Sequence, residues 1–234
     1  MSIMSELTVT LDQMVNNQFE SLEFKHLFSV PLTPERGRFY MIQNALYTAN
    51  RRDCWGYVQG SAPLEVKRVI WQHESDELVN DPRANMDHYT LTVKQGEGLG
   101  LKPDDFEKAE VPAMVQACFY ALHYIAIRSH WLKAYTSSHM LERRNNGQIV
   151  KGGGMSFRMG KKFENELGIN LKKMISLDLH AVADTEHSDN ISEMFERYVK
   201  TSEDRELVLD GARDCMAIDR AYRGALAYYM ERLS

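Results

Sequence analysis

His180, Asp184 and His187 follow one another at steps of four and three residues, in a stretch from Leu171 to about Ser188 that otherwise reads as a helix. An α-helix turns roughly 100° per residue, so the second and third side chains lie about +40° and −20° from the first and all three share one face. Two imidazoles and a carboxylate projecting from one rigid rod are what helical bundles use to build metal sites. A divalent first-row ion would also satisfy a polar stripe turned into a core. Taken alone, the stripe fits a solvated face equally well, because Asp178, Glu186 and Asp189 are close by.

A metal stripe on one helix needs partners from facing helices. Glu77 closes one apolar-periodic segment and His88 opens the next, with Asn80-Asp81-Pro82 between them. Two antiparallel helices joined that tightly can aim both residues into the same core. Glu142 lies in Ser138-His-Met-Leu-Glu142, before a glycine-rich connection. Together these give Glu77, His88, Glu142, His180, Asp184 and His187. The set is all oxygen and nitrogen with no thiolate, which suits iron or manganese better than structural zinc. Six ligands are enough for two ions sharing a carboxylate. Each added residue also has a plain structural role open to it. Glu77 can be a surface charge, His88 a satisfied histidine, and Glu142 a partner for Arg143 or a neighbouring lysine.

The elements that would position these groups read as helices throughout. Thr33-Pro34-Glu35-Arg36 has the form of an N-cap, a first-turn proline and an early carboxylate. Pro63-Leu64-Glu65 starts a second helix, which Asn80-Asp81-Pro82 breaks, and a third is expected from Ala84 to Gln95. Val111-Pro112 opens a long stretch to Asn145, with a kink near Ser129. A helix follows around Phe157–Leu167 with Gly168 as its C-cap, then the stripe-bearing helix, then a last one from Ser202 toward Met230. Leu7–Leu11 and Tyr89–Val93 alternate like strands but are short and flanked by helical pattern, so they read as helix ends. The expectation is an all-α bundle of seven or eight helices forming a single domain over residues 1–234.

Composition narrows the class. A 44% hydrophobic and 26% charged chain of 234 residues suits an ordinary globular core. The formal charge of −5 gives no electrostatic reason to expect nucleic acid. The longest apolar run, Val111 to Ile127, is interrupted by Gln116 and His123, so no membrane span is expected. The first six residues show no basic start before an apolar core, so a secretory signal is not expected. Cys54, Cys118 and Cys215 are odd in number and widely spaced, fitting reduced core thiols and a cytoplasmic address.

The order Asp76-Glu77, His88, Glu142, His180, Asp184, His187 resembles the haem-oxygenase-like diiron oxidase and oxygenase superfamily over roughly residues 30–190. Its most specific element is the His-x3-Asp-x2-His helix preceded by a lone helical glutamate. The resemblance implies a seven-helix fold shared with haem oxygenase, the TenA thiaminases and the PQQ-synthesis oxidase. It implies two Fe(II) per chain held by those six residues, and reaction with O₂ on a small amino-acid-derived or other carboxylate substrate. Members similar in pattern form alkenes from fatty acids, oxygenate nitrogen, fragment amino acids or make a nitrile from a tryptophan derivative. Nitrile formation, N-oxygenation and oxidative C–C cleavage are thus all implied outcomes, in specialised biosynthesis, with an external electron donor and a homodimer also compatible.

Two departures from the pattern stand out. Many members carry a further glutamate on the preceding helix, where this chain has Gln43 or Asn44, with Glu74 as an alternative source of the carboxylate. The gap from Glu142 to His180 is also long, with Gly152-Gly-Gly154 as the insertion. No substrate-binding residue is assigned. Trp71, Phe119, Tyr120, Tyr124 and Trp131 read mainly as packing, and Arg158, Lys161 and Lys162 as solvated charges or a carboxylate clamp. Two other readings share the fold: a metal-free enzyme like TenA or the PQQ oxidase, and a non-catalytic binding protein. A haem oxygenase would have only His26 as an early axial ligand.

Overall fold

The computed structural model describes the backbone of residues 3–233 and the side chains of residues 4–180 and 192–233. Its α-helices, numbered in chain order, are α1 Ile3–Gln18, α2 Leu22–Ser29, α3 Pro34–Ser61, α4 Leu64–Leu78, α5 His88–Glu97 and α6 Pro103–Glu107. They continue as α7 Ala113–Arg128, α8 Trp131–Arg143, α9 Met155–Leu167, α10 Ile175–Tyr198 and α11 Ser202–Met230, with one 3-10 turn at Leu171–Lys173. Among the described residues there is no strand, only an isolated antiparallel bridge between Asp81 and Met86. The all-α expectation holds, with more helices than the seven or eight anticipated. Both strand-like segments lie in helices, α1 and α5.

Local chemistry explains most boundaries. The Thr33 side chain accepts a hydrogen bond from the Arg36 amide and Pro34 occupies the first turn, so α3 starts where its sequence signals it. Gly168 closes α9 with φ 68°, a left-handed conformation that suits glycine. The third helix begins at His88 rather than Ala84, because Asp87 is its N-cap and accepts from the Thr90 amide. The residues before it form a turn in which Asn85 takes φ 55°. The long 111–145 stretch is two helices rather than one kinked helix. Ser129 is extended, and the His130 ring caps α8 by accepting from the Leu132 amide at 3.3 Å.

Helix α11 packs against α8, α2, α7 and α1. The α8–α11 approach depends on Gly211, where a Cβ would come within 2.3 Å of the Lys133 carbonyl oxygen. Helix α3 runs through the middle, in contact with α4, α5, α7 and α8, and buries Tyr40, Met41, Trp55 and Val58 along with Arg51 and Arg52. Helix α10 lies across α4, α5, α8 and α9. One polar cluster ties the bundle together at Asp219 of α11. Arg144 Nη1 sits 2.6 and 2.7 Å from its two oxygens, Arg223 Nε donates at 3.2 Å, and Gln18 of α1 also donates to it. Tyr47 of α3 reaches the same carboxylate at 3.5 Å and stacks on Tyr222 with centroids 4.4 Å apart.

Candidate metal centre

Glu77 in the last turn of α4 and His88 at the start of α5 meet across the intervening turn. Glu77 Oε1 lies 2.9 Å from His88 Nδ1, and both residues are buried. The other ring nitrogen, Nε2, lies 2.8 Å from Oδ2 of Asp81, a residue of the turn itself. That turn holds Asp81 in place. Its amide donates to the Met86 carbonyl at 3.1 Å, and its Oδ1 accepts from the Arg83 amide and Arg83 Nε at 2.8 Å each. Burial alone would raise the Asp81 pKa, but the bonds from Arg83 and His88 bring it down to about 2, so the group is a carboxylate. A carboxylate thus stands at each ring nitrogen; with the Nε2 proton held by Asp81, a neutral ring would turn its Nδ1 lone pair toward the Glu77 oxygen. Two acceptors facing each other require a cation, either a proton or a metal ion. A carboxylate behind a histidine is also the arrangement that orients metal-bound imidazoles.

His180 on α10 completes this group. Its ring lies 4.6 Å from that of His88 at 66°. Its Nδ1 donates to the Ser176 carbonyl oxygen at 2.7 Å, leaving the lone pair on Nε2. Burial first, and the neighbouring His88 second, lower its pKa to about 4, so the ring is neutral as a ligand must be. The start of α10 is fixed on α5 by Gln95, whose Oε1 accepts the Ser176 and Leu177 amides at 2.9 and 3.1 Å. Thr92 of α5 adds a 3.0 Å hydroxyl contact with Ser176. Glu77, His88 and His180 each offer a ligand atom, and these atoms lie within 4.8 Å of one another. Two imidazoles and one carboxylate from three helices match the donor set of non-haem Fe(II) oxygenases.

Glu142 joins a second, adjoining group with Glu77 and His73, again with ligand atoms within 4.8 Å of one another. His73 is one helical turn before Glu77. Its Nδ1 lies 2.9 Å from Glu74 Oε1, and its Nε2 lies 3.4 Å from Glu142 Oε1 and 3.9 Å from Glu77 Oε1. Burial would lower the His73 pKa, but the bonds to Glu142 and Glu74 outweigh it and lift it to about 9. Helix α3 brings two guanidiniums. Arg52 Nη1 sits 2.6 Å from Glu77 Oε2 and 3.1 Å from Glu74 Oε1, and Arg51 Nη2 pairs with Glu142 Oε1. These cations, with His88 and His73, hold Glu77 and Glu142 well below the usual carboxylate range although burial opposes it.

The six residues singled out by sequence are therefore placed as follows. Glu77, His88 and His180 come together, and Glu142 stands beside Glu77 through His73 and Arg51. Asp184 and His187 lie on α10, one and two turns beyond His180, with side chains outside the described residues. Glu142 does not pair with Arg143, which turns to Asp12 and Ser192 instead. Gln43 is not at the centre: its Nε2 donates to the Glu110 carbonyl at 3.2 Å, two turns along α3 from Arg51. The α3 residues facing the cluster are cationic, and Glu74 supplies a carboxylate at its edge. His73, Asp81, Arg51 and Arg52 were not anticipated. The i, i+4 spacing of His73 and Glu77 was the available signal for the first.

Other sequence expectations need correction. Trp71, Tyr120 and Tyr124 are exposed rather than packed, while Phe119 is buried and Trp131 half-buried. Arg158 donates to the Gly153 and Lys151 carbonyls and lies over Phe19. Lys161 pairs with Glu164, and Lys162 with Glu166 and the Phe28 carbonyl. Lys161 is thus a solvated charge, as one of the two readings had it, while Arg158 and Lys162 brace the loop and α9. His26 pairs with Glu231 at 2.8 Å.

Solved structures of similar shape share the whole length of the chain at low identity. A domain of unknown function with a haem-oxygenase-like fold from Shewanella denitrificans OS217 superposes with a TM-score of 0.77 at 14% identity, covering 96% of this chain and 92% of that one. A CADD-like protein of unknown function from Nostoc punctiforme PCC 73102 gives 0.77 at 15% identity, with 97% of each chain covered. A TenA homologue from P. horikoshii OT3 gives 0.60 at 15% identity, covering 96% of this chain and 100% of that one. At such identities the likeness speaks for the haem-oxygenase-like fold alone. No curated protein matches the sequence. The model of the family described as iron-containing redox enzyme, Haem_oxygenas_2, matches residues 38–220, a span that holds every residue of the cluster, and the chain belongs to that family.

Proposed function

We propose that this chain is a non-haem iron oxidase or oxygenase that uses O₂ on a small carboxylate-bearing, amino-acid-derived substrate. One observation carries the reading: His88 is held between Asp81 and Glu77, with the lone pair of a neutral His180 beside it. This donor set fits one divalent ion, with Glu77, His88 and His180 as its ligands. Bound iron would supply the one-electron and O₂ chemistry that no side chain here can perform. A second iron, as the resemblance implies, would draw on Glu142 with Asp184 and His187, with Glu77 shared between the two.

The chain's own residues set up the rest. Asp81 holds one His88 proton on Nε2, and the Ser176 carbonyl holds the His180 proton on Nδ1, so His180 presents its Nε2 lone pair inward while an arriving ion would take the place of the proton shared between His88 Nδ1 and Glu77. Arg52 occupies Glu77 Oε2 and thereby directs Oε1 toward the histidines. Glu77, His88, His73 and Glu142 are buried among α3, α4, α5 and α8, with His180 of α10 half-buried beside them, which limits water at the reacting centre. Nitrile formation, N-oxygenation and oxidative C–C cleavage are the outcomes proposed, with an external donor wherever the electron count requires one.

A metal-free enzyme with a thiol nucleophile is poorly supported. Burial pushes Cys54 up to about 12 and Cys118 up to about 11, and raises Cys215 further still. The deciding experiment is anaerobic reconstitution with Fe(II), followed by iron counting and O₂ uptake with amino-acid and fatty-acid substrates. At least one iron per chain and substrate-dependent uptake are expected. Less than one iron and no uptake would exclude the reading.

A further inference from the structure

Helix α7 turns an uncharged face toward solvent. Met114, Ala117, Tyr120, Tyr124 and Ile127 follow one another at steps of three and four residues, and all five are exposed, the two tyrosines at 66% each. Tyr57 of α3 stands beside them, edge-on to His123 at 5.9 Å and also exposed. Arg128, the last residue, is the one charged side chain among the 16 of α7, in a chain with 33 acidic and 28 basic residues. The exposed apolar residues of α4 are different: Leu64, Trp71 and Leu78 are interspersed with exposed Glu65 and Arg68.

The two tyrosines, with Met114, Ile127 and Tyr57 each near half exposure, present roughly 500–600 Å² of side chain. That is the upper end of what a monomer leaves open, and with its rim it approaches the about 800 Å² that each partner of a stable complex buries. A second copy is the occupant that fits. Two chains of charge −5 repel, so copies meet where neither carries acid, and α7 has no acidic residue. The face is also complementary to itself. Two α7 helices laid antiparallel about Tyr120 and Ala121 set Met114 against Ile127 of the second copy, and Ala117 against Tyr124, small against large. The same pairing carries Arg128 toward Glu110, which is exposed just before α7 of the other copy, and two-fold symmetry forms that ion pair twice.

We propose that the chain forms a two-fold homodimer through the outward face of α7. Tyr120 and Tyr124 are its anchors, and Arg128 with Glu110 fixes the antiparallel sense. The interface stands on its own observations and does not depend on the iron reading.

The test is sedimentation equilibrium of the full chain and of variants at these exposed positions, with circular dichroism to verify the fold. Wild type should sediment as a dimer at micromolar concentration. Tyr124→Glu sets two like charges into the apolar centre and should raise the dimer dissociation constant at least about thirtyfold. Arg128→Glu should weaken the dimer, and adding Glu110→Arg to it should restore the affinity, because the pair is rebuilt with its signs exchanged. Trp71→Glu, on α4, should change nothing. A monomeric wild type would give the face to a different protein and overturn the proposal. A dimer that survives Tyr124→Glu, or that Trp71→Glu disrupts instead, would place the interface elsewhere and overturn it equally. Failure of Glu110→Arg to rescue Arg128→Glu would overturn the antiparallel arrangement.

Discussion

Asp81 Oδ2 and His88 Nε2 stand 2.8 Å apart, and this pair joins the turn after α4 to the first residue of α5. The turn does more than connect two helices. By taking the Nε2 proton, Asp81 decides which edge of the imidazole faces Glu77. Asp81→Ala should therefore weaken Fe(II) binding by about 10- to 100-fold while the ligands themselves stay in place. Competition against a chelator of known affinity measures this. Unchanged affinity in a folded variant would show that the His88 orientation is set elsewhere.

Ion binding should also be visible as stability. An ion that binds only the folded chain adds about 2.7 kcal/mol at a hundredfold excess over its dissociation constant. Anaerobic Fe(II) or Co(II) should raise the thermal midpoint of the wild type, and His180→Ala should abolish most of that rise. An equal rise in both proteins would place the ion away from α10.

Asp219 offers a test of the scaffold independent of any metal. Burial opposes its ionisation, yet Arg144 and Arg223 lower its pKa below the ordinary 3.8. Asp219→Asn leaves two buried guanidiniums without their carboxylate and should cost about 3–5 kcal/mol at neutral pH. Because the folded pKa is depressed, this contribution is complete above the ordinary carboxylate range and fades as pH falls below it, through the lowered value. Urea unfolding of both proteins at pH 7 and near pH 3 should show the gap narrowing in acid. A gap that stays constant would contradict the assignment.

Two glycines should respond in opposite directions to the same change. Gly211→Ala drives a Cβ to 2.3 Å from the Lys133 carbonyl, so α8 and α11 must separate, at a cost of about 1–3 kcal/mol. Gly56, exposed in the last two turns of α3, has nothing within 4 Å of the place a Cβ would take, and Gly56→Ala should stabilise by up to about 1 kcal/mol. Thermal denaturation distinguishes them, and a neutral Gly211→Ala would mean that the helix contact is looser than its geometry.

The legible parts of this chain were those whose meaning is local. Thr33 and Gly168 announce helix ends through their own backbone chemistry, and of the spaced stripe on α10 the described residue, His180, does turn toward His88. Glu77 and His88 were readable because a short turn leaves few ways to place them. Arg51 and Arg52 were not, for a physical reason. Helix α3 is buried on several sides, so its polar residues give no clear inward face, and an arginine pair on a helix reads as solvent-exposed until neighbours are known. Asp81 was hidden likewise: an aspartate in an Asn-Asp-Pro turn looks like turn chemistry alone. Gln43 was misplaced because the part of α3 that faces the cluster lies two turns further on, where Arg51 and Arg52 stand rather than a carboxylate.

The account depends on Glu77, His88 and His180 holding iron together. Crystals soaked anaerobically in Fe(II), with anomalous data collected on both sides of the iron edge, test that most directly. A peak within coordination distance of all three side chains is the predicted result. A well-ordered map with no peak there, or with iron bound only elsewhere, would contradict it.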